Sequence, residues 1–330
     1  MKAKTNAMKS VQDIVDLASA YYGSAVLFAA IDCRVFENVE SGTLDTSSRG
    51  TRLLADACVA EGLLEKRDGK YFNTPASKIA LIPGGKADLT KAIRYNRDVY
   101  PAWGKLSEFV RTGRPVERPQ IHLGEDSVRT KAFAAAMFGR AMGIGRSVVP
   151  MLDFAPGDGR ILDLAGGPAA YAILIAQANP GVKIVTVDLP AISAEAAQYV
   201  ANSNLSGRIE CRAGDYHSDE YENGAYDAVT IFGALHQESP DQILDILKRA
   251  KRALRKGGRI FILDMMTDDT HTSPTFSALF AINMALTTEN GWVFSDGELK
   301  KWLSEAGFSP ETTLHVPPPM PHWLVTAVSL

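Results

Sequence analysis

From Arg160 onward, short apolar runs alternate with helical patterns, and this alternation limits the possible folds more than any other feature of the chain. Arg160-Ile161-Leu162-Asp163-Leu164 is a strand-like run, and a helical pattern opens at Tyr171 and continues to Gln177. The next strand is predicted over 183–187 and the next helix over 191–201. Further strands are predicted over 209–212, 228–232 and 259–264, with a helix over 243–254 between the last two. Strands separated by helices need crossover connections, so they lie parallel with helices on both faces. Right-handed crossovers then give an α/β, Rossmann-like, doubly wound sheet.

The first third has a different pattern. Val11, Ile14, Val15 and Ala18 recur at helical spacing, as do Leu27, Ala30, Ile31 and Val35. Thr43-Leu44-Asp45-Thr46-Ser47-Ser48 offers several N-cap residues ahead of an amphipathic stretch with Leu53, Leu54, Ala57 and Cys58 that ends at Gly62. Residues 63–72 read as a hairpin turning at Asp68-Gly69. Helix, turn, helix and hairpin make a winged-helix-like pattern. A long helical stretch follows over 88–111. Thr112-Gly113-Arg114-Pro115 breaks it and Pro119 extends the break. The expected domains are therefore a mainly helical 1–112 and an α/β 113–330. A helix over 127–152 precedes the first strand, with Phe133, Met137, Phe138 and Met142 largely on one face; such a stripe reads first as core.

A winged helix invites a DNA-binding reading, and charge argues against it. The recognition-helix candidate, 47–61, sets Arg49 and Arg52 against Asp56 and Glu61. The whole chain has a formal net charge of -3. Gripping phosphates needs a positive surplus, so no nucleic-acid partner is expected. The first domain then reads as an interaction module. Val26, Leu27, Phe28, Ile31 and Val35 either present an apolar face to a second copy, giving a homodimer, or pack internally. Three cysteines, Cys33, Cys58 and Cys211, lie far apart, so neither a disulfide framework nor a structural zinc site is expected, and a reducing cytoplasm fits. Two early lysines have no apolar core behind them, and no uninterrupted apolar run approaches the about 20 residues of a membrane span; neither a signal peptide nor a membrane partner is expected.

The chemistry-bearing residues cluster at the predicted carboxyl ends of strands, where open α/β sheets bind ligands. Leu162-Asp163-Leu164-Ala165-Gly166-Gly167-Pro168-Ala169 runs from a buried strand through a glycine turn into a helix. Glycines there let a ligand approach the backbone, and free N–H groups at the helix start suit an anion. The dinucleotide pattern GxGxxG is absent. Asp188 ends the next strand, where a carboxylate can accept from both hydroxyls of a ribose, or can cap the following helix. Gly214-Asp215-Tyr216 follows the third strand; Asp215 can accept from an adenine amino group and Tyr216 can pack against the ring.

These pieces together resemble a known family. LDLAGGPAA, VTVDLP, GDY, ALHQESPDQILDILKRAKRALRKGGRIFILD and the tail FSDGELKKWLSEAGF occur in the order and spacing of the small-molecule O-methyltransferases of the caffeic-acid and hydroxyindole type and their bacterial relatives. The resemblance covers nearly the whole chain. It implies an N-terminal winged-helix-like dimerisation domain and a catalytic domain that binds S-adenosyl-L-methionine through Gly166, Gly167, Asp188, Leu189, Asp215, Tyr216 and Phe232. It implies a catalytic base at His236, in Leu235-His236-Gln237-Glu238, oriented by Asp264. It places the small-molecule acceptor against the long helix before the first strand and the segment after the fifth, with Phe138, Met142, Asn283, Met284 and Thr288 as candidates. It implies no metal.

The chain departs from the family in places. Gln237-Glu238 stands for Asp-Trp, Phe232 for a lysine of the plant members, and Val293 for a second acid beside the histidine, with Glu289 nearby. A hydroxyl acceptor is the first expectation. Thioether or thiol S-methylation, which needs less from a base, and a cofactor-binding relative that does not methylate remain open. His122, His217 and His271 read as surface residues.

Overall fold

The computed structural model describes residues 8, 10–85, 87–118, 124–154, 159–318 and 320–330. Pro119 and His122 lie outside the described residues. The chain forms two compact units that divide at Asp98 and Val99, within a helix; the Thr112–Pro115 break expected as the boundary lies inside the second unit.

The first unit opens with α1 (Val11–Ser19) and α2 (Tyr21–Asp32), followed by α3 (Val35–Glu40) and α4 (Arg49–Ala60). The hairpin is β1 (Leu64–Arg67) and β2 (Lys70–Asn73), and α5 (Pro75–Ala80) follows. α6 (Thr90–Trp103) spans the division. Asp68 (φ 50) and Gly69 (φ 75) both take positive φ between the paired Arg67 and Lys70, the two-residue turn expected of Asp-Gly. The helical pattern from Leu27 to Val35 is broken at Cys33, where Arg34 adopts a left-handed φ of 55 and starts α3.

The core of this unit contains Ile31, Val35, Phe36, Cys58 and Leu64, with Val26 and Leu27 packed against it. Of the apolar set around Ile31, Ile31 and Val35 are buried in this core, Val26 and Leu27 pack against it half-buried, and Phe28 is half-buried. Exposed apolar groups include Val11, Ile14, Val15 and Leu17 on α1 and Tyr21 and Tyr22 at the start of α2, besides single residues such as Leu53, Phe72 and Ile79 elsewhere in the unit. Only Ala20 separates the two helices, and the 22-residue stretch Val11–Asp32 holds an 18-residue window of mean hydropathy 1.6, long and apolar enough by length and composition to cross a membrane. The stretch is not an uninterrupted apolar run, because Asp13 and Asp16 lie within it.

In the second unit the helical stretch up to Arg111 divides after Trp103, near Pro101 and Gly104, and resumes as α7 (Leu106–Thr112). α8 (Ser127–Val148) is capped by Asp126, whose side chain accepts the N–H groups of Val128 and Arg129. The alternating segment follows as β3 (Arg160–Leu164), α9 (Ala170–Ala178), β4 (Lys183–Asp188), α10 (Pro190–Asn202), β5 (Ile209–Ala213), β6 (Tyr226–Phe232), α11 (Pro240–Ala253) and β7 (Leu254–Asp264). Then come α12 (Thr275–Thr287), α13 (Asp296–Glu305), β8 (Phe308–His315) and β9 (Trp323–Ser329).

The seven-stranded sheet has the order β5-β4-β3-β6-β7-β9-β8. Pairs from β5 to β7 are parallel, and β9 runs antiparallel to both of its neighbours. Alternate residues feed two cores. Ile260 and Ile262 of β7 join Ile243, Leu247, Leu299 and Leu303 of α11 and α13. Phe261 and Leu263 face Val148, Ile173 and Ala196 of α8, α9 and α10. Burial on both faces explains why these strands read as continuous apolar runs. The strand order reverses between β3 and β6, so the crevice at their carboxyl ends is the expected ligand position.

Candidate active site

The β3–α9 turn is built by contacts across the sheet. Asp163, fully buried at the end of β3, accepts hydrogen bonds from Thr186 Oγ1 on β4 (3.0 Å) and Thr230 Oγ1 on β6 (2.7 Å). A Cβ on Gly166 would overlap Thr186 Oγ1 and the Asp163 carboxylate, so this residue is glycine because the turn packs onto its own sheet. Gly167 differs. Its φ is +56, and nothing lies within 4 Å of where a Cβ would point. Gly167 is therefore the open position of the pair.

Asp188 Oδ2 accepts the Gly167 N–H at 2.7 Å, and Oδ1 accepts the Leu189 N–H at 2.8 Å. The carboxylate ties the end of β4 to the glycine turn while each oxygen keeps a lone pair for another donor. Burial raises both Asp163 and Asp188 to about 6 from an ordinary 3.8, against the hydrogen bonds that favour the charged form. Between pH 4 and 6 the folded chain thus holds protons that the unfolded chain has released, so these two groups make stability fall as pH rises through that window. In thermal unfolding, Asp163→Asn is expected to lose part of this pH dependence and to match or exceed wild-type stability at pH 7. An unaltered pH dependence would contradict the assignment.

Asp215 follows β5 and accepts the His217 N–H at 2.9 Å. Tyr216 donates its hydroxyl to Glu238 Oε1 at 2.6 Å, and Glu238 is buried. Burial and the Glu238 charge push the Tyr216 hydroxyl well above its usual range. The exposed His217 stacks on Tyr216 and lies 3.4 Å from Glu238 Oε2. The Trp292 indole donates to the Glu238 carbonyl at 2.9 Å. Glu238, a departure from the family in sequence, joins the β5 and β6 loops. Phe232 is buried at the end of β6 and meets Tyr171 edge-on, with ring centroids 5.0 Å apart.

His236 and Asp264 come together. His236 sits in a single 3-10 turn after β6, and Asp264 closes the neighbouring β7. His236 Nδ1 lies 2.6 Å from Asp264 Oδ1. Asp264 Oδ2 accepts the backbone N–H of His236 at 3.2 Å, and Oδ1 also accepts that of Met265 at 2.7 Å. Both side chains are buried. With Nδ1 carrying its proton toward Asp264, the Nε2 lone pair is the one available for chemistry. Phe280 meets the imidazole edge-on at 5.1 Å. Gly291 lets the following loop pass close by, since a Cβ there would overlap Thr288 Oγ1 and lie 3.2 Å from the His236 carbonyl.

The acceptor-side candidates do not form one group. Met284 joins Met265, Phe280 and Val293 in a buried cluster beside His236. The second-acid position, Val293, is thus apolar core, and Glu289 is exposed. Asn283 is buried and accepts the Trp103 indole N–H at 2.9 Å. Thr288 donates to the Met284 carbonyl at 2.7 Å as α12 ends. Phe138 stacks on Tyr199 of α10 with centroids 3.9 Å apart, and Met142 is half-buried on α8. Among the described residues no group of three or more His, Cys, Asp and Glu side chains could hold a metal.

A reversed strand order, an open glycine turn and a tethered His–Asp pair lie together at the carboxyl ends of strands in a Rossmann-like sheet. Comparison with known proteins narrows the class. Residues 103–309 match the O-methyltransferase domain, and residues 15–82 match the O-methyltransferase dimerisation domain. The chain is 31% identical to 3-hydroxy-5-methyl-1-naphthoate 3-O-methyltransferase of Streptomyces sahachiroi, covering 96% of this chain and 94% of the relative. It is 27% identical to L-tyrosine C(3)-methyltransferase of Streptomyces lavendulae, over 97% and 94% of the two chains. The crystal structure of human N-acetylserotonin methyltransferase in complex with S-adenosylmethionine has a TM-score of 0.86 at 25% identity, covering 98% of this chain and 99% of that one. The chain belongs to the O-methyltransferase family and is an S-adenosylmethionine-dependent methyltransferase.

Proposed function

We propose that the protein methylates a hydroxyl oxygen of an aromatic small molecule, with His236 as general base and Asp264 as its positioning partner. The 2.6 Å contact between His236 Nδ1 and Asp264 Oδ1 carries this reading. It presents Nε2 as a proton acceptor at the edge where the cofactor binds. The apolar wall of Met265, Phe280 and Met284 suits an aromatic ring and excludes water. The Streptomyces sahachiroi relative is named for methylation at oxygen, which favours the same atom here.

The residues fit the cofactor. Gly167 leaves open space, and the Asp188 oxygens keep lone pairs suited to ribose hydroxyls. Leu189 holds Asp188 in place. Asp215, Tyr216 and Phe232 line the neighbouring loop ends, while Gly166 serves the turn itself. When bound, S-adenosylmethionine supplies a methyl group already activated by its sulfonium. The protein's tasks are then to align the acceptor and to remove its proton.

Incubated with methyl-labelled S-adenosylmethionine and phenolic acceptors, the protein is expected to form an aryl methyl ether and release S-adenosylhomocysteine. Label on sulfur would favour the S-methylation reading, to which the apolar Val293 position is suited. Cofactor binding with no transfer across a broad panel would favour a non-methylating relative. We also infer a homodimer formed through the first unit, whose α1 exposes Val11, Ile14, Val15 and Leu17. A monomer mass by light scattering at micromolar concentration would overturn it.

A further inference from the structure

Arg140 is a half-buried cation on α8. Its Nη2 lies 3.9 Å from the Met265 sulfur, and among the described residues no carboxylate pairs with it. Charged groups drawn into a fold ordinarily find a counter-charge. Met265 fixes where this cation stands. It follows Asp264, donates its N–H to Asp264 Oδ1, and packs with Phe280 and Met284 beside the His236 ring. Arg140 thus flanks the acceptor side of the His–Asp pair, while Gly167 and Asp188 stand at the ends of β3 and β4.

A second observation points to the same place. His322 is buried, and its Nδ1 has no hydrogen-bond partner among the described residues. It leads directly into Trp323, which pairs with Asp264 across β7 and β9. Burial, with the Arg140 charge adding to it, lowers His322 to about 4, so the imidazole is neutral at pH 7 and can offer one N–H. Ser277 Oγ on α12 is also buried without a partner, on the helical face shared by Phe280 and Met284. Buried polar groups are costly unless something satisfies them, and a polar ligand group does so.

We propose that Arg140 anchors a carboxylate on the methyl acceptor, with His322 as a hydrogen-bonding partner beside it, so that the enzyme selects hydroxyaryl carboxylic acids over neutral phenols. The proposal rests on the methyl-transfer reading and adds the acceptor's charge. A guanidinium presents a planar fork that matches a carboxylate, and the bonds are charge-assisted. A neutral phenol leaves Arg140 partly desolvated and unpaired, which discriminates against it.

The test is calorimetric titration of the protein loaded with S-adenosylhomocysteine, using hydroxynaphthoates and hydroxybenzoates beside naphthol and phenol. Wild type is expected to bind at least one acid about 10-fold or more tighter than its matching phenol. R140Q should weaken that acid by about 10- to 100-fold and leave the phenol and S-adenosylhomocysteine unchanged. R140K should recover part of the loss, and H322Q should weaken the same acid. The proposal is overturned if wild type prefers no acid, or if R140Q weakens acid and phenol alike. It is also overturned if R140Q weakens S-adenosylhomocysteine instead, because the carboxylate would then be the cofactor's own. Binding to the loaded protein needs no turnover. An acid preference without methyl transfer would therefore fail the catalytic reading alone, and transfer without the preference would fail this one alone.

Discussion

A His236→Ala variant is expected to methylate its acceptor at least about 100-fold more slowly than wild type, the scale of losing a positioned general base. The expectation comes from the way the imidazole is held. Asp264 receives both the ring Nδ1 proton and the backbone N–H of His236, and Met265 donates to the same carboxylate. Those bonds set one tautomer and one ring orientation, which a glutamine or a solvent molecule in that position would not reproduce. A loss of only severalfold would mean that His236 takes no proton. It would shift the reading toward a sulfur acceptor, which has none to give.

The largest effect on stability is expected from Gly166→Ala. The added methyl would overlap Thr186 Oγ1 and the Asp163 carboxylate, two buried groups already hydrogen-bonded to each other. Neither can withdraw without leaving a buried polar atom unsatisfied, so the cost is expected at or above the upper end of overpacking, about 3 kcal/mol. Gly167→Ala should cost less, about 1–2 kcal/mol, because only its positive φ is strained and the space beside it is open. Ala165 (φ 51) and Ala169 (φ 62) already adopt that conformation in the same turn. Thermal unfolding of the two variants checks the order. A Gly166→Ala protein as stable as wild type would refute the packing argument. Gly167→Ala should instead show its larger effect in cofactor affinity.

What could be read from the sequence follows from which interactions are local. The parallel sheet was legible because each strand is buried on both faces, and the turns at Gly166–Gly167 and Asp68–Gly69 carry their own chemistry. His236 and Asp264 were legible through the family resemblance, since 28 positions separate them and only the β6–β7 pairing brings them together. The separate reasons for the two glycines could not be read, because Thr186 reaches Gly166 from the adjacent strand. Periodicity marked Ile31 and Val35 as apolar but could not say that α4 and the hairpin cover them. Phe138 and Met142 shared one stripe, yet the stacking of Phe138 on Tyr199 depends on how α8 meets α10. Nothing in the sequence singles out Arg140 or the role of Glu238, because only tertiary packing brings them toward the site.

That this sheet edge is an S-adenosylmethionine site is tested most directly by calorimetric titration with S-adenosylhomocysteine. Wild type is expected to bind one equivalent per chain. Asp188→Ala, which removes the carboxylate proposed to hold the ribose and frees the Gly167 and Leu189 amides, should bind at least about 10-fold more weakly, as expected for losing hydrogen bonds to a charged group. Absence of binding by folded wild type, or equal affinity in the variant, would contradict the account.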